Sequence, residues 1–418
     1  MDPYNILVYI IAYIGLLATS FYMINLFTYY KKNKRPSPST DKTISIIIPA
    51  YNEEKTIGKT IKSALSLNYP KEKIEIIVVN DGSKDRTLQI AKRFESTTNP
   101  IVTVFSKQNG GKGSALNMGI SKAKGEIIIS MDADTTVFQD SLKKMIGYFK
   151  NEEVMSVAPA IGVINPQGLW RRIQQIEYYM GVFLRKSFAS MNAIHITPGA
   201  FSAYRKSFFN KYGGYDEKNI TEDLEIALRI QSKDYIIENA EDAAVYTKGP
   251  GTFKELLIQR RRWYAGLMRN LWDYRRLFSP KKGALGVVVL PTAVSTIALA
   301  IIITIYLVIR TLIKIKDELL SLSAINFQFN NLIEINSYLF EIFFLTILSN
   351  KVIVLSILFV LLLSFYIIFS RRQMLYKEST KINMIFFLIF YSFLFSFWWI
   401  VSITYVTFNK KVVWREEK

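Results

Sequence analysis

Ile44-Ser45-Ile46-Ile47-Ile48-Pro49-Ala50-Tyr51-Asn52-Glu53-Glu54 is a short apolar run that breaks into polar and acidic residues. The pattern recurs. Ile74–Val79 gives way to Asn80-Asp81-Gly82-Ser83-Lys84-Asp85-Arg86-Thr87, and Glu126–Met131 ends in Asp132-Ala133-Asp134, with a further β-branched run at Ile101–Phe105 between them. The intervening stretches Thr56–Leu67 and Arg86–Phe94 carry apolar residues at helical spacing. Nearly continuous apolar strands alternating with helices predict a parallel sheet covered on both faces, an α/β fold. Ligands bind such sheets beyond the carboxyl ends of the strands. Any one of the three polar endings would read as a turn with a helix cap. Three together predict a shared cleft.

Outward from this core the chain becomes apolar. Half of the 418 residues are hydrophobic and 14% aromatic, and mean hydropathy is positive. No charge occurs in Pro3–Tyr30, Gly283–Ile309, Val352–Ser370 or Ile382–Asn409. About 20 apolar residues suffice for a helix to cross the hydrocarbon core. These segments divide the chain into an N-terminal transmembrane helix (1–30), a central domain (31–280) and a C-terminal membrane region (281–418). The segment Leu332–Asn350 carries Glu334 and Glu341, and is either an external amphipathic helix or an additional span. The first segment lacks the basic leader and cleavage site of a signal peptide. Lys31, Lys32, Lys34 and Arg35 follow it directly, which orients the central domain to the cytoplasm. A multi-pass protein of the cell membrane is expected.

The net charge of +19 is therefore assigned to the lipid bilayer surface rather than to nucleic acid. Two basic, Trp-containing amphipathic stretches, 169–188 and 252–276, fit helices lying in the membrane interface. There are no cysteines, which excludes disulfides and thiolate metal sites.

At the strand ends, the Asp132-x-Asp134 carboxylates would repel each other without a cation, and oxygen ligands suit Mg2+ or Mn2+ bridging to phosphates. The loop Asn109-Gly110-Gly111-Lys112-Gly113-Ser114 departs from a P-loop, but offers amides and one ammonium to a diphosphate at the start of a helix from Ser114. Thr221-Glu222-Asp223 opens another helix. Acids there are stabilised by the helix dipole, and one of them suits a general base taking a proton from an attacking hydroxyl. Gln259-Arg260-Arg261-Arg262-Trp263 offers counter-charge to a departing diphosphate, with Arg262 directed inward and the other two arginines open to lipid headgroups. His195, the only histidine, is read as structural.

Taken in order, Pro49-Ala50-Tyr51-Asn52-Glu53, Asn80-Asp81-Gly82-Ser83, Asp132-Ala133-Asp134, Thr221-Glu222-Asp223 and Gln259-x-x-Arg262-Trp263 resemble the processive family 2 glycosyltransferases, among them poly-N-acetylglucosamine, hyaluronan, chitin and cellulose synthases. The basic segment Arg371–Lys381, the aromatic span after it and the charged tail with Trp414 look most like the poly-N-acetylglucosamine synthases. The resemblance implies a GT-A type (Rossmann-like) catalytic domain inserted between transmembrane helices. It implies inverting, processive transfer of a sugar, of N-acetylglucosamine type, from a UDP-sugar donor to a polysaccharide, coupled to export. By the same resemblance Pro49, Tyr51, Glu53, Asp81, Lys112 and Asp132 would form the nucleotide site, and Asp134 would hold the metal. Asp223, with Glu222 beside it, would be the base; Gln259, Arg262 and Trp263 would line the diphosphate and acceptor end. The loop Thr197–Phe201 matches the position of the acceptor sugar. A lipid-linked acceptor (single transfer to a polyprenyl phosphate) is the alternative enzyme, and a non-enzymatic membrane scaffold a more distant one. A small membrane accessory subunit is a further partner to look for.

Overall fold

The structure, a computed structural model, describes residues 3–32, 35–324, 351–373, 380–408 and 410. The expectations for Leu332–Asn350 and for Trp414 fall outside the described residues, as does most of Arg371–Lys381. The elements in order are α1 (Pro3–Lys32), β1 (Ile44–Ala50), α2 (Ile57–Leu65), β2 (Ile74–Asp81), α3 (Thr87–Lys92), β3 (Ile101–Lys107), α4 (Lys112–Lys122), β4 (Ile127–Met131), β5 (Thr135–Val137) and α5 (Ser141–Ile146). They continue with β6 (Val154–Val163), α6 (Leu169–Ala189), β7 (Phe201–Arg205), α7 (Lys206–Tyr212), α8 (Glu222–Ser232), β8 (Ile236–Thr247) and α9 (Phe253–Asp273). The apolar helices α10 (Leu290–Ala324), α11 (Lys351–Gln373) and α12 (Lys381–Thr407) follow among the described residues.

Eight strands form one sheet in the order β3-β2-β1-β4-β7-β6-β8-β5. β3, β2, β1 and β4 are parallel, the Rossmann-like half expected from the sequence. Alternation along these strands feeds two cores. Ile46, Ile48, Ile76, Val78 and Ile129 face α2 and α5, while Ile47, Ile77, Val79 and Ile128 face α4 and α8. A sheet buried on both faces needs apolar residues at successive positions, which is why these strands lack a polar alternation.

The expectation of a purely parallel sheet is corrected beyond β4. β7 runs antiparallel to β4, β6 antiparallel to β7, and β5 antiparallel to β8. Pro159 lies at a register shift between β6 and β8, and β8 contains Glu238, Asn239, Glu241 and Asp242. Proline and buried polar residues conceal a strand from a reading by apolar pattern.

Among the described residues three helices are long and apolar enough to cross a membrane: Ile6–Tyr29, Leu285–Ala324 and Ile353–Arg372. A fourth is α12, if its segments Lys381–Tyr391 and Phe393–Thr407, bent by 46°, count as one span. The amphipathic helix α6 lies between the sheet and these helices, and α9 lies against α8 and α12. α6 packs Ile173, Ile176, Tyr179 and Val182 against Ala160 and Ala244 of the sheet and against Leu363, Ile367 and Phe387 of α11 and α12. α9 meets α12 through Tyr264, stacked on Trp399 at 4.4 Å.

Their basic residues do not all face outward, a correction to the interfacial reading. Lys186, Arg260 and Arg261 are buried. Lys186 Nζ lies 3.0 Å from Glu241, whose other oxygen is 2.8 Å from Arg35 Nε in the segment after α1. Each cation is paired with a carboxylate or an aromatic ring because an isolated buried charge would be very costly.

α4 approaches β1 closely at Gly119, where a Cβ would overlap Cγ2 of Ile47. Gly119→Ala is expected to destabilise the purified chain by about 1–3 kcal/mol through overpacking, read as a lower Tm. An unchanged Tm would contradict this packing.

Candidate active site

The loops after β1 and β2 are joined by hydrogen bonds. Asn52 N–H donates to Ser83 Oγ at 3.0 Å, Glu53 N–H to Thr87 Oγ1 at 2.7 Å and Glu54 N–H to Asp85 Oδ2 at 3.1 Å. Pro49 is buried at the end of β1, with Tyr51 and Glu53 half-buried just beyond. Gly82 has φ +72°, and a Cβ there would lie 2.8 Å from the Asn109 amide. The turn after Asp81 thus requires glycine.

Asp81 gathers the glycine loop onto itself. Its oxygens accept from the Gly110 amide at 3.0 Å, the Gly111 amide at 2.8 Å and Lys107 Nζ at 3.0 Å. This corrects the reading of that loop as an open diphosphate cradle, since these two amides are already engaged. The helix also begins at Lys112 rather than Ser114.

Lys112 is the hub of the site. Its ammonium lies 2.7 Å from Asp132 Oδ1 at the end of β4 and 2.8 Å from Glu222 Oε1 at the start of α8. Burial opposes its charge, but Asp132, Glu222 and Asp223 outweigh that and raise its pKa above the usual lysine range. Gly199 closes over it, and a Cβ there would overlap Nζ. Its N–H donates to Asp223 Oδ2 at 3.2 Å, bringing the Thr197–Phe201 loop onto the T-E-D segment. Asp223 Oδ1 accepts from the Leu224 amide at 2.9 Å. Burial and the Glu222 charge push the Asp223 carboxyl up to about 6, against the opposing pull of Lys112 and Arg262.

Asp134 is held at the far end of β8, where Thr247 Oγ1 donates to it at 3.2 Å. Burial, then the charges of Asp132 and Glu53, push its carboxyl up to about 7. A buried carboxylate with two acidic neighbours is relieved by a cation, and all-oxygen donors fit a hard divalent ion. Among the described residues no three acidic or histidine side chains converge as a metal cage. An ion here would take its other ligands from phosphate and water.

The structure therefore brings Glu53, Lys112, Asp132, Asp134, Glu222, Asp223 and Arg262 within one electrostatic neighbourhood, with Pro49, Tyr51 and Asp81 along the same sheet edge. Arg262 Nη1 reaches the Ile220 carbonyl at 3.5 Å, just ahead of the T-E-D segment. Gln259 keeps a buried Oε1 with no hydrogen-bond partner. Trp263 sits under the Arg260 guanidinium, 4.3 Å from its ring centroid. The lipid-facing alternative for Arg260 and Arg261 is corrected: Arg260 pairs with Glu177 at 2.6 Å, and Arg261 lies 4.3 Å over the Tyr405 ring. His195 is buried beside Phe188 and held toward its neutral form by burial, in keeping with a structural role.

Sequence reasoning missed the residues that set the position of Asp223. Asn270 of α9 donates to Thr221 Oγ1 at 2.9 Å, and Asn219 Nδ2 donates to Asn270 Oδ1 at 2.8 Å. A Cβ on Gly266 would overlap Thr221. The available signal was spacing. Gly266 and Asn270 recur on the face of α9 that carries Arg262, at about one and two helical turns respectively.

Residues 45–213 match the family described as Glycosyl transferase family 2, and this part of the chain is a family 2 glycosyltransferase domain. The chain is 34% identical over 243 residues to "Probable glycosyltransferase YdaM" of Bacillus subtilis, covering 57% of each chain. It is 34% identical over 236 residues to poly-beta-1,6-N-acetyl-D-glucosamine synthase of Staphylococcus epidermidis, covering 55% of this chain and 57% of the relative. The chain thus spans 57% of the length of these curated relatives. In fold it is similar to mannosyltransferase PcManGT of Pyrobaculum calidifontis, solved with GDP-Man and Mn2+, at a TM-score of 0.59 and 18% identity over 97% of this chain and 100% of that one. The fold is that of the GT-A glycosyltransferases.

Asn270→Ala is expected to leave Thr221 and Asn219 short of partners, lowering stability by about 1–3 kcal/mol. Thermal unfolding checks this, and a Tm equal to wild type would contradict the network.

Proposed function

We propose that the chain transfers a sugar of N-acetylglucosamine type from a UDP-sugar to a growing polysaccharide, with inversion, at the cytoplasmic face of the cell membrane. Transfer is processive and coupled to export through the apolar helices. The observation that carries this reading is the meeting of Asp223, Glu222, Asp132 and Lys112 at the carboxyl edge of the sheet. The sequence likeness to a poly-beta-1,6-N-acetyl-D-glucosamine synthase supports the choice of sugar.

In this mechanism the acceptor hydroxyl oxygen forms a bond to the anomeric carbon as the bond from that carbon to the phosphate oxygen breaks. The proton passes to Asp223 Oδ, and the nucleoside diphosphate leaves with the bonding electrons. A base with a pKa of about 6 is mostly ionised at neutral pH yet still basic enough to accept that proton. Arg262 and Lys112 supply positive charge toward the leaving group. Asp134 would hold Mg2+ or Mn2+, whose chemistry is to neutralise the diphosphate. Tyr51, Glu53 and Asp81 hold the nucleoside, and Gln259 and Trp263 face the acceptor.

Purified chain supplied with UDP-N-acetylglucosamine and Mn2+ is expected to make long polymer. A product that extracts into organic solvent with one sugar added would favour the polyprenyl-phosphate reaction instead. Asp223→Asn is expected to lower turnover by at least about 100-fold while leaving donor binding intact; unchanged turnover would remove the base assignment.

Because the base works ionised, turnover is expected to fall as pH drops through about 6 and to level off above it. The slope approaches about tenfold per pH unit in a pH–rate profile. A rate independent of pH between 5 and 7, to take about two units around that value, would contradict the assignment.

A further inference from the structure

The motif helix α9 is tied to α12 by a largely buried charge that the transfer chemistry does not use. Glu177 lies midway along α6. Its Oε2 is 2.6 Å from Arg260 Nη2, and its Oε1 accepts from the Tyr391 hydroxyl of α12 at 3.2 Å. Arg260 is 1% exposed. Its guanidinium rests 4.3 Å from the Trp263 ring centroid and 5.5 Å from that of Trp398. One carboxylate thus links three helices, and the cation it holds packs directly on the tryptophan of the Gln259-x-x-Arg262-Trp263 motif.

Holding helices together does not by itself call for such a pair. Burying two charges costs desolvation, and apolar side chains of similar volume often pack as stably. An arginine held by a carboxylate does add a fixed plane, against which an aromatic ring takes a defined orientation. The Arg260 guanidinium packs on the Trp263 ring, and Arg260 is held by Glu177.

We infer that Glu177 is a positioning residue for sugar transfer, fixing Trp263 at the acceptor end of the site through Arg260. This rests on the transferase reading above, and on Trp263 facing the acceptor. Glu177 itself touches neither donor nor reacting atoms. Its loss should therefore alter use of the acceptor and leave use of the donor unchanged.

The test compares two activities of the full chain in detergent with Mn2+. One is hydrolysis of UDP-N-acetylglucosamine by water, and the other is extension of a β-1,6-linked N-acetylglucosamine pentamer. Glu177→Gln is expected to raise the KM for the pentamer about tenfold, with donor KM and hydrolysis within about twofold of wild type. Glu177→Asp should recover most of the loss. Tyr391→Phe, which keeps the ion pair, should move the pentamer KM in the same direction by about threefold. In a Trp263→Ala background Glu177→Gln should have no further effect on the pentamer KM.

Equal loss of hydrolysis and extension, an unchanged pentamer KM, or additive effects in the double variant would each overturn the inference. If Glu177→Gln does not fold, an unmoved pentamer KM in Tyr391→Phe overturns it. A wild type that hydrolyses no nucleotide sugar would instead refute the transferase reading, before any variant is compared.

Discussion

One ammonium organises this site. Lys112 lies within salt-bridge distance of Asp132 and Glu222, and its charge also acts on Asp223. Three carboxylates so close at a buried sheet edge would force one another to take up protons if no cation stood among them. The ammonium comes from the first turn of α4, Asp132 from the end of β4, and the two acids from the first turn of α8. Docking of α8, which follows the antiparallel β7, onto the parallel half of the sheet is therefore also assembly of the site. Gly199 and Gly266 matter for the same reason, because backbone must pass where a side chain would displace Lys112 or Thr221.

That arrangement leaves the acids unequal. Asp223, buried beside Glu222, is raised to about 6, and Asp134, which accepts from the Thr247 hydroxyl, to about 7. Asp132 keeps the direct ion pair. Divergent environments of this kind are how neighbouring carboxylates take different tasks. On the proposed reading one accepts a proton, one meets the metal, and one stays with Lys112 and the nucleotide.

The sequence disclosed the half of the fold in which each strand is apolar throughout and ends in polar residues. β1, β2, β3 and β4 were legible for that reason, and so were the acidic groups at their ends. β6 and β8 were not, because Pro159, Glu238 and the buried Asn239 and Glu241 look like loop in a local pattern. Glu241 is paired with Lys186 and Arg35, partners distant in the chain that no local window contains. The direction of charged side chains on α9 was likewise hidden. Arg260 looks like a solvated charge until Glu177, Trp263 and Trp398 are seen around it. Asp81 stands out in the sequence at the end of its strand, but its hold on the Gly110 and Gly111 amides depends on loop geometry that composition does not encode.

The central claim is that the acids released by β2 and β4 belong to a single nucleotide site. It is tested most directly by titrating UDP into the purified chain with Mn2+ and again with a chelator. The expected result is binding that weakens about tenfold or more without the ion and is lost in both Asp81→Ala and Asp134→Ala. Equal affinity for UDP in the chelator and in both variants would contradict the claim.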